Sequence, residues 1–397
     1  MFQDLSGWVG YLVFLTISTA IFALFSLGLN LQWGFTGLIN FGHVAFMTVG
    51  AYTTVLLSLQ GVPLIVAAFV GGAVAALLGL LIGLSTLRLR TDYLAIVTIG
   101  VSELIRLVVN NQDLPTGSGF TPGAFGVQSY PLPLSNLEPN LIVRLGMIGL
   151  LTLITGVSYW QLGRWISKGR GVRGVDAPAD SRKVGRGFKE KSSVSRFLSR
   201  LIIGVAAALL ILVLYAAGVM ALYDYANHEK AGLMLLSVLV LALVLWRLEV
   251  LVRSPWGRVL KAIREDEEVP RALGKNVFWY KLQSLMLGGA IAGIAGALYA
   301  WQLTTIYPDN FQPQITFDAW IIVIVGGAGN NFGTILGAVI FFAYDAVTRF
   351  LLPAIVPLDE ARLGAFRIMV IGLILMLLMI WRPQGILGKK QELTLGK

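Results

Sequence analysis

Residues 321–340 read IIVIVGGAGNNFGTILGAVI. Two apolar runs flank a core of Gly326, Gly327, Ala328, Gly329, Asn330, Asn331, Phe332 and Gly333. With its neighbours the apolar stretch covers 317–347. As one straight helix it would rise about 46 Å, against about 30 Å for the hydrocarbon core of a bilayer. Glycine is a poor helix residue, and the asparagine side chain competes for backbone hydrogen bonds. The stretch therefore reads as a broken element, either a re-entrant pair of short helices or two short crossings.

The surrounding chain supports a membrane setting. Of 397 residues, 56% are hydrophobic and 13% charged, where a soluble domain carries roughly 25% charged residues. Further apolar segments lie at 11–32, 43–59, 64–84, 92–109, 141–163, 201–222, 232–252, 283–303 and 365–381. In lipid a segment must satisfy its own backbone, so these are helices. The ten-residue alternation of an outer-membrane barrel is absent. The run from Tyr11 lacks a basic leader and a small-residue cleavage site, so it reads as a membrane segment and not as a cleaved signal. The expected fold is all-α: one polytopic transmembrane domain over 1–397, with nine or ten membrane segments and broken or re-entrant helices.

Basic residues give the orientation. The loops at 85–91, 164–200, 253–281 and 382–397 hold 24 of the 31 Lys and Arg. The loops at 1–10, 60–63, 110–140 and 304–316 hold none. The first set is cytoplasmic by the positive-inside rule, which puts the N-terminus outside and the C-terminus inside. The most basic loop, 164–200, has eleven Lys and Arg against Asp176, Asp180 and Glu190. It reads as a topology signal and not as a nucleic-acid site. The loop at 110–140, rich in Pro, Gly and Ser, is long enough to serve as an external docking surface.

A second break lies at 33–42 and shares the tripeptide Asn-Phe-Gly with the first, at 40–42 and 331–333. Broken helices at matching places accompany inverted repeats in transporters, although a tripeptide also recurs by chance. Small residues recur every four positions at Ala75, Gly79 and Gly83, at Gly289 and Gly293, at Ala292 and Gly296, and at Gly329, Gly333 and Gly337. That spacing lets helix backbones approach closely. Ionisable groups within segments are few. Glu103 and Arg106 share a face at a spacing of three and can pair; Asp92, Asp318 and Asp345 are the other carboxylates considered. Glu103 lines a polar route or simply pairs near a helix end. His43 lines the same kind of route or caps a broken helix.

The stretch 253–281 is mixed in charge. Pro255 and Gly257 end the preceding membrane helix, and a short amphipathic helix follows with Val259, Leu260 and Ile263 on its apolar side. The acidic cluster Glu265–Glu268 and Gly274 come next. A helix of this design suits contact with a soluble partner. Enzymatic motifs are missing: there is no cysteine, only His43 and His228 as histidines, no phosphate-binding G-x-x-x-x-G-K-[ST], no H-E-x-x-H and no G-x-S-x-G. No metal site is expected, and any ATPase is another chain.

Four stretches carry a family likeness: GLINFGHVAFMTVGAY at 37–52, LRLRTDYLAIVTIGVSELIRLV at 87–108, the 253–299 region from RSPWGRVLKAIREDEEVPRALG to GGAIAGIAGALYA, and IIVIVGGAGNNFGTILGAVI with WRPQGILG at 381–388. Together they resemble the LivM-type permease of branched-chain and neutral amino-acid ABC importers. The resemblance implies a bacterial inner-membrane subunit that pairs with a LivH-like permease. Two cytoplasmic ATPase subunits would carry the ATP and Mg, and a periplasmic substrate-binding protein would deliver the solute. This chain would hold no cofactor and bind no nucleic acid. The coupling region, 258–275, would include Arg258, Arg264, Glu265, Asp266, Glu267, Glu268 and Gly274. Pathway candidates would be Asn40, His43, Asn330 and Asn331, with Glu103 beside them. The sequence departs from the family at Pro270, where alanine is usual and where the helix is expected to restart. It departs again in the length of the 164–200 loop and in a 37–52 stretch that reads partly like the LivH partner. A urea or short-amide importer shares these motifs. An ion-coupled secondary transporter would need more buried carboxylates than this chain offers.

Overall fold

The computed structural model describes residues 2–87, 91–116, 119–133, scattered positions between 145 and 220, 228–355, 359–381 and 384–388. The chain is an all-α polytopic membrane protein. Its named helices are α1 (Phe2–Leu29), α2 (Val44–Leu59), α3 (Leu64–Thr86), α4 (Thr91–Asn111), α5 (His228–Arg253), α6 (Pro255–Glu265), α7 (Glu268–Ala272), α8 (Val277–Leu303), α9 (Gln314–Gly326), α10 (Asn331–Ile355) and α11 (Glu360–Trp381). A π-helical turn, Asn30–Phe35, extends α1. Short strands β1 (Asp113–Thr116), β2 (Gly119–Pro122), β3 (Val127–Gln128) and β4 (Thr305–Ile306) pair antiparallel, β1 with β2 and β3 with β4. Among the described residues six helical stretches are long and apolar enough to cross a membrane: Val9–Phe35, Leu64–Thr86, Tyr93–Asn111, Gly232–Arg253, Val277–Leu303 and Asn331–Pro353.

The chain divides into two compact units. The smaller comprises Met1–Thr16 and Asn136–Leu235. Within it the Thr152 and Tyr215 hydroxyls lie 2.9 Å apart, and Tyr159 donates to the Ala208 carbonyl at 2.7 Å. The expected segments at 141–163 and 201–222 fall here, each only in part among the described residues, and the basic loop 164–200 lies wholly outside them.

The larger unit comprises Ile17–Ser135 and Leu236–Lys397. At its centre α8 packs against α2 and α3 through glycines. A β-carbon at Gly79 would lie 3.1 Å from the Leu285 carbonyl, and one at Gly289 would lie 3.0 Å from the Phe46 ring and 3.1 Å from the Ala75 carbonyl. At Gly293 it would meet the Ala75 β-carbon at 2.6 Å, and at Gly83 it would meet the Leu282 side chain. The α9–α10 pair is equally close: a β-carbon at Gly333 would be 2.6 Å from the Gly326 carbonyl, and one at Gly337 would meet the Ile322 carbonyl. Bulk points outward instead. Ile65, Phe69 and Leu81 on α3 and Ile96 and Leu104 on α4 are exposed, as suits surfaces that face lipid.

Three boundaries differ from the sequence reading. α8 begins at Val277, six residues before the apolar run, because Asn276 Oδ1 caps its first turn by accepting from the Trp279 amide at 3.2 Å, and Glu267 neutralises the buried Lys281 ammonium. Pro255 ends α5 at Arg253, with Ser254 extended before it, and also occupies the first position of α6, where its missing N–H costs nothing; Gly257, read as part of the same stop, lies inside α6 instead. The buried Gly257 lies against the Val252 backbone. The broken element at 317–347 is not a pair of short helices. α9 has 13 residues, but α10 has 25 and reaches Ile355. The polar residues beyond 347 are satisfied along the helix: Thr348 donates to the Tyr344 carbonyl at 2.8 Å, and Arg349 pairs with Asp345 at 3.3 Å.

The glycine contacts yield a direct test. Gly293→Leu is expected to wedge α8 from α3 and to cost about 1–3 kcal/mol, the usual cost of overpacking. Gly100→Leu, at an exposed site with nothing within 4 Å of the added β-carbon, should be neutral. Thermal unfolding of the two variants in detergent measures the difference.

Candidate functional site

Two helix breaks meet inside the larger unit. α1 passes into the π-helical turn, then into irregular backbone over 36–43, before α2 starts at Val44. α9 stops at Gly326, and α10 begins at Asn331 after a turn in which Gly327 and Gly329 have φ of +112° and +75°. Such backbone favours glycine, since a side chain there meets its own carbonyl.

Side chains close both breaks. Asn30 Oδ1 accepts from the Gly329 amide at 2.9 Å, and Asn30 Nδ2 donates to Asn331 Oδ1 at 3.3 Å. Asn331 Nδ2 donates to Glu249 Oε2 on α5 at 3.2 Å, and Glu249 also accepts from Arg253 Nε at 2.9 Å. Asn330 Nδ2 donates to the Leu387 carbonyl at 2.9 Å, and its Oδ1 accepts from the Gly333 amide at 3.2 Å. A β-carbon at Gly34 would lie 2.5 Å from the Gly329 nitrogen, so the two breaks touch at backbone distance.

The irregular segment 36–43 is tied in the same way. Asn40 Nδ2 donates to Gln32 Oε1 at 2.9 Å, and Gln32 Nε2 donates to the Leu285 carbonyl on α8 at 3.1 Å. Trp320 Nε1 of α9 donates to the Asn40 carbonyl at 3.1 Å, while the Thr316 hydroxyl accepts from the first amide of α2, Val44, at 2.9 Å. The Thr36 and Ser284 hydroxyls are 2.7 Å apart. His43 is fully buried between the Phe25 and Phe46 rings; its Nε2 donates to the Phe25 carbonyl at 3.2 Å, and Nδ1 has no partner. The groups that converge here are amides and hydroxyls, with charge only at the margin.

The structure thus brings Asn330 and Asn331 against one break and Asn40 and His43 into the other. Glu103 is not among them. α4 touches the 36–43 segment at Thr98, whose hydroxyl accepts from the Phe41 amide at 3.2 Å. Glu103 sits five residues on, about 7.5 Å along the helix. Arg106 Nε and Nη2 donate to its two carboxylate oxygens at 3.0 and 2.6 Å, and Arg106 also bonds Asp309 at 2.7 Å in the short 3-10 turn Pro308–Phe311.

In the 253–281 stretch, Arg258, Glu265, Asp266, Glu268 and Gly274 are exposed, and Glu267 binds Lys281. Asp266 Oδ1 accepts from the Glu268 amide at 2.9 Å, so the helix restarts at Glu268 and not at Pro270. Pro270 falls in the first turn of α7, where its absent N–H would be unsatisfied anyway. Gly274, with φ +73°, closes the turn after α7. Arg264 differs from the rest of the stretch: its Nη1 donates inward to the Gly34 carbonyl.

Sequence reading missed Asn30, Gln32, Thr36, Glu249, Ser284 and Thr316. All but Thr36 are polar residues at or inside an apolar run, which is the signal that could have found them, and Thr36 lies within the break at 33–42. Asn30 and Gln32 were absorbed into the end of the first segment.

A family model described as the permease component of branched-chain amino acid transport systems matches residues 11–379. The high-affinity branched-chain amino acid transport system permease proteins LivM of Salmonella typhimurium and Escherichia coli are each 29% identical over 371 residues, which is 93% of this chain and 68% of theirs. The probable LivM of Methanocaldococcus jannaschii is 23% identical over 395 residues, covering 94% of this chain and 92% of that protein. No solved structure matches the chain.

The junction has a measurable energetic signature. Asn331→Ala removes partners of both Asn30 and Glu249 and is expected to cost about 1–2 kcal/mol. Asn30→Ala should cost a similar amount. The double variant is expected to cost clearly less than the sum, because the two side chains share one bond. Unfolding of the single and double variants in the same detergent reads the coupling, and strict additivity would deny it.

Proposed function

This chain belongs to the family of permease components of branched-chain amino acid transport systems, and from that premise we propose that it is the membrane-spanning subunit of an ATP-driven importer of branched-chain or other neutral amino acids. The family match across residues 11–379 carries the reading. In this role the chain pairs with a second, LivH-like permease. A periplasmic binding protein delivers the amino acid, and two cytoplasmic ATPase subunits hold the ATP and Mg. The distribution of basic residues supports a cytoplasmic position for 253–281, an external N-terminus and an internal C-terminus.

The chemistry of the solute fits the junction. A neutral amino acid is a zwitterion with an apolar side chain, and it needs hydrogen-bonding groups without a fixed net charge. Asn40, Gln32, Thr316 and Asn331 are of that type. The surface of α6 and α7 suits a protein partner. Leu260 and Ile263 anchor α6 inward, while Arg258, Glu265, Asp266 and Glu268 are presented outward with Val269 and Leu273.

Reconstituted with its partners in proteoliposomes, the chain is expected to take up a branched-chain amino acid only when ATP reaches the ATPase face. Reversing Glu265, Asp266 and Glu268 to lysine should lower ATPase co-purification and ATP-driven uptake by about tenfold without changing insertion. Uptake by the isolated chain on an ion gradient alone would overturn the reading. Full uptake in the triple variant would remove the docking role from these acids.

A further inference from the structure

We propose that Arg264 is a positioning residue that ties α6 to both helix breaks, so that a displacement of α6 is felt at the junction of Asn30, Gly34, Gly329 and Asn331. The inference rests on the importer reading above and adds to it the route by which the cytoplasmic helix reaches the interior.

The starting point is the broken end of α1. A helix that stops leaves its last carbonyls without intrahelical partners, and a cation is favoured at that end. Part of this need is met locally: the Gly37 amide donates to Trp33 O and the Leu38 amide to Gln32 O, each at 2.9 Å. The Gly34 carbonyl receives the Arg264 guanidinium instead, from a helix 230 residues away in sequence. A cap supplied by another helix binds the two mechanically, because the guanidinium cannot follow α6 without leaving the carbonyl.

The same guanidinium borders the second break. A β-carbon at Gly329 would lie 2.8 Å from Arg264 Nη1 and 2.9 Å from the Gly34 carbonyl. Gly329 in turn donates its amide to Asn30, and Asn30 bonds Asn331 at the start of α10. Two further contacts hold α6 against the π-helical turn. Lys261 Nζ lies 5.6 Å from the centre of the Phe35 ring, and Leu260 is packed with Leu31, Phe35 and Val252. α6 is therefore a bridge, with exposed Arg258 and Glu265 on one side and the end of a broken membrane helix on the other. Arg264 belongs to the inward side and not to the docking surface.

The test uses the assembled complex in proteoliposomes, with Arg264→Gln and Arg264→Lys compared to the unmodified chain. For Arg264→Gln the maximal rate of ATP-driven uptake is expected to fall about tenfold, the usual weight of a charge-assisted hydrogen bond. ATPase co-purification and the half-saturating concentration of loaded binding protein should stay unchanged. Arg264→Lys keeps one charged donor within reach of Gly34 and should recover most of that rate, which a loss of packing alone would not allow. Wild-type rates in Arg264→Gln, or loss of ATPase binding in that variant, would overturn the proposal. If the unmodified chain recruits no ATPase, the importer reading itself falls and the joint falls with it.

Discussion

A helix that stops inside an apolar medium strands amides and carbonyls that no water can reach, and each stranded group is costly. Among the described residues of the larger unit, two helix ends meet in protein in this way, one after α1 and one between α9 and α10. They are stable because they satisfy each other. Asn30 accepts from Gly329 and donates to Asn331, while Gly34 and Gly329 approach at a distance no side chain permits. Straightening either break would strand the partners of the other. The two irregular segments thus form one structural element, although 299 residues separate Asn30 from Gly329.

The frame that holds this element is built by small residues. Burial of oil against oil gives no driving force in lipid, so helices associate through close packing and hydrogen bonds. α2, α3 and α8 meet at Gly50, Gly79, Gly289 and Gly293, with backbone nearly on backbone. α8 also offers the Leu285 carbonyl to Gln32 and the Ser284 hydroxyl to the Leu31 carbonyl at 3.1 Å. The helix that is most tightly packed therefore also fixes the π-helical turn.

For a permease this division of labour is useful. Solute movement requires polar groups inside the membrane and a way to alter their arrangement from outside it. In the proposed reading, amides and hydroxyls at the breaks would supply the first. The short helix α6, anchored by Leu260 and Ile263 and continued by the exposed acids of the 265–268 turn, would supply a handle for the second. Glu103 has a different setting. It pairs with Arg106 on its own helix, and Arg106 in turn fastens α4 to the turn that follows β4 through Asp309.

Much of the architecture was legible before any coordinates. The apolar runs at 43–59 and 64–84 became α2 and α3 almost residue for residue, because lipid allows a spanning segment only one backbone solution. The Gly-Gly-Ala-Gly-Asn-Asn core announced its break through local propensity alone. Other features were hidden for a physical reason. Hydropathy and propensity report the medium around a residue and the preference of its own backbone, whereas partners drawn from distant helices depend on which surfaces fit. Lys281 marked the edge of an apolar run until Glu267 neutralised it inside α8. Asn30 and Gln32 looked like the polar end of a segment until packing set them against Asn331 and the Leu285 carbonyl. Sequence by itself determined that this chain is a set of membrane helices with two interruptions. Only the tertiary structure decided that the interruptions face each other and that Arg264 reaches them, since hydrogen bonds between groups hundreds of residues apart exist only once the helices have packed.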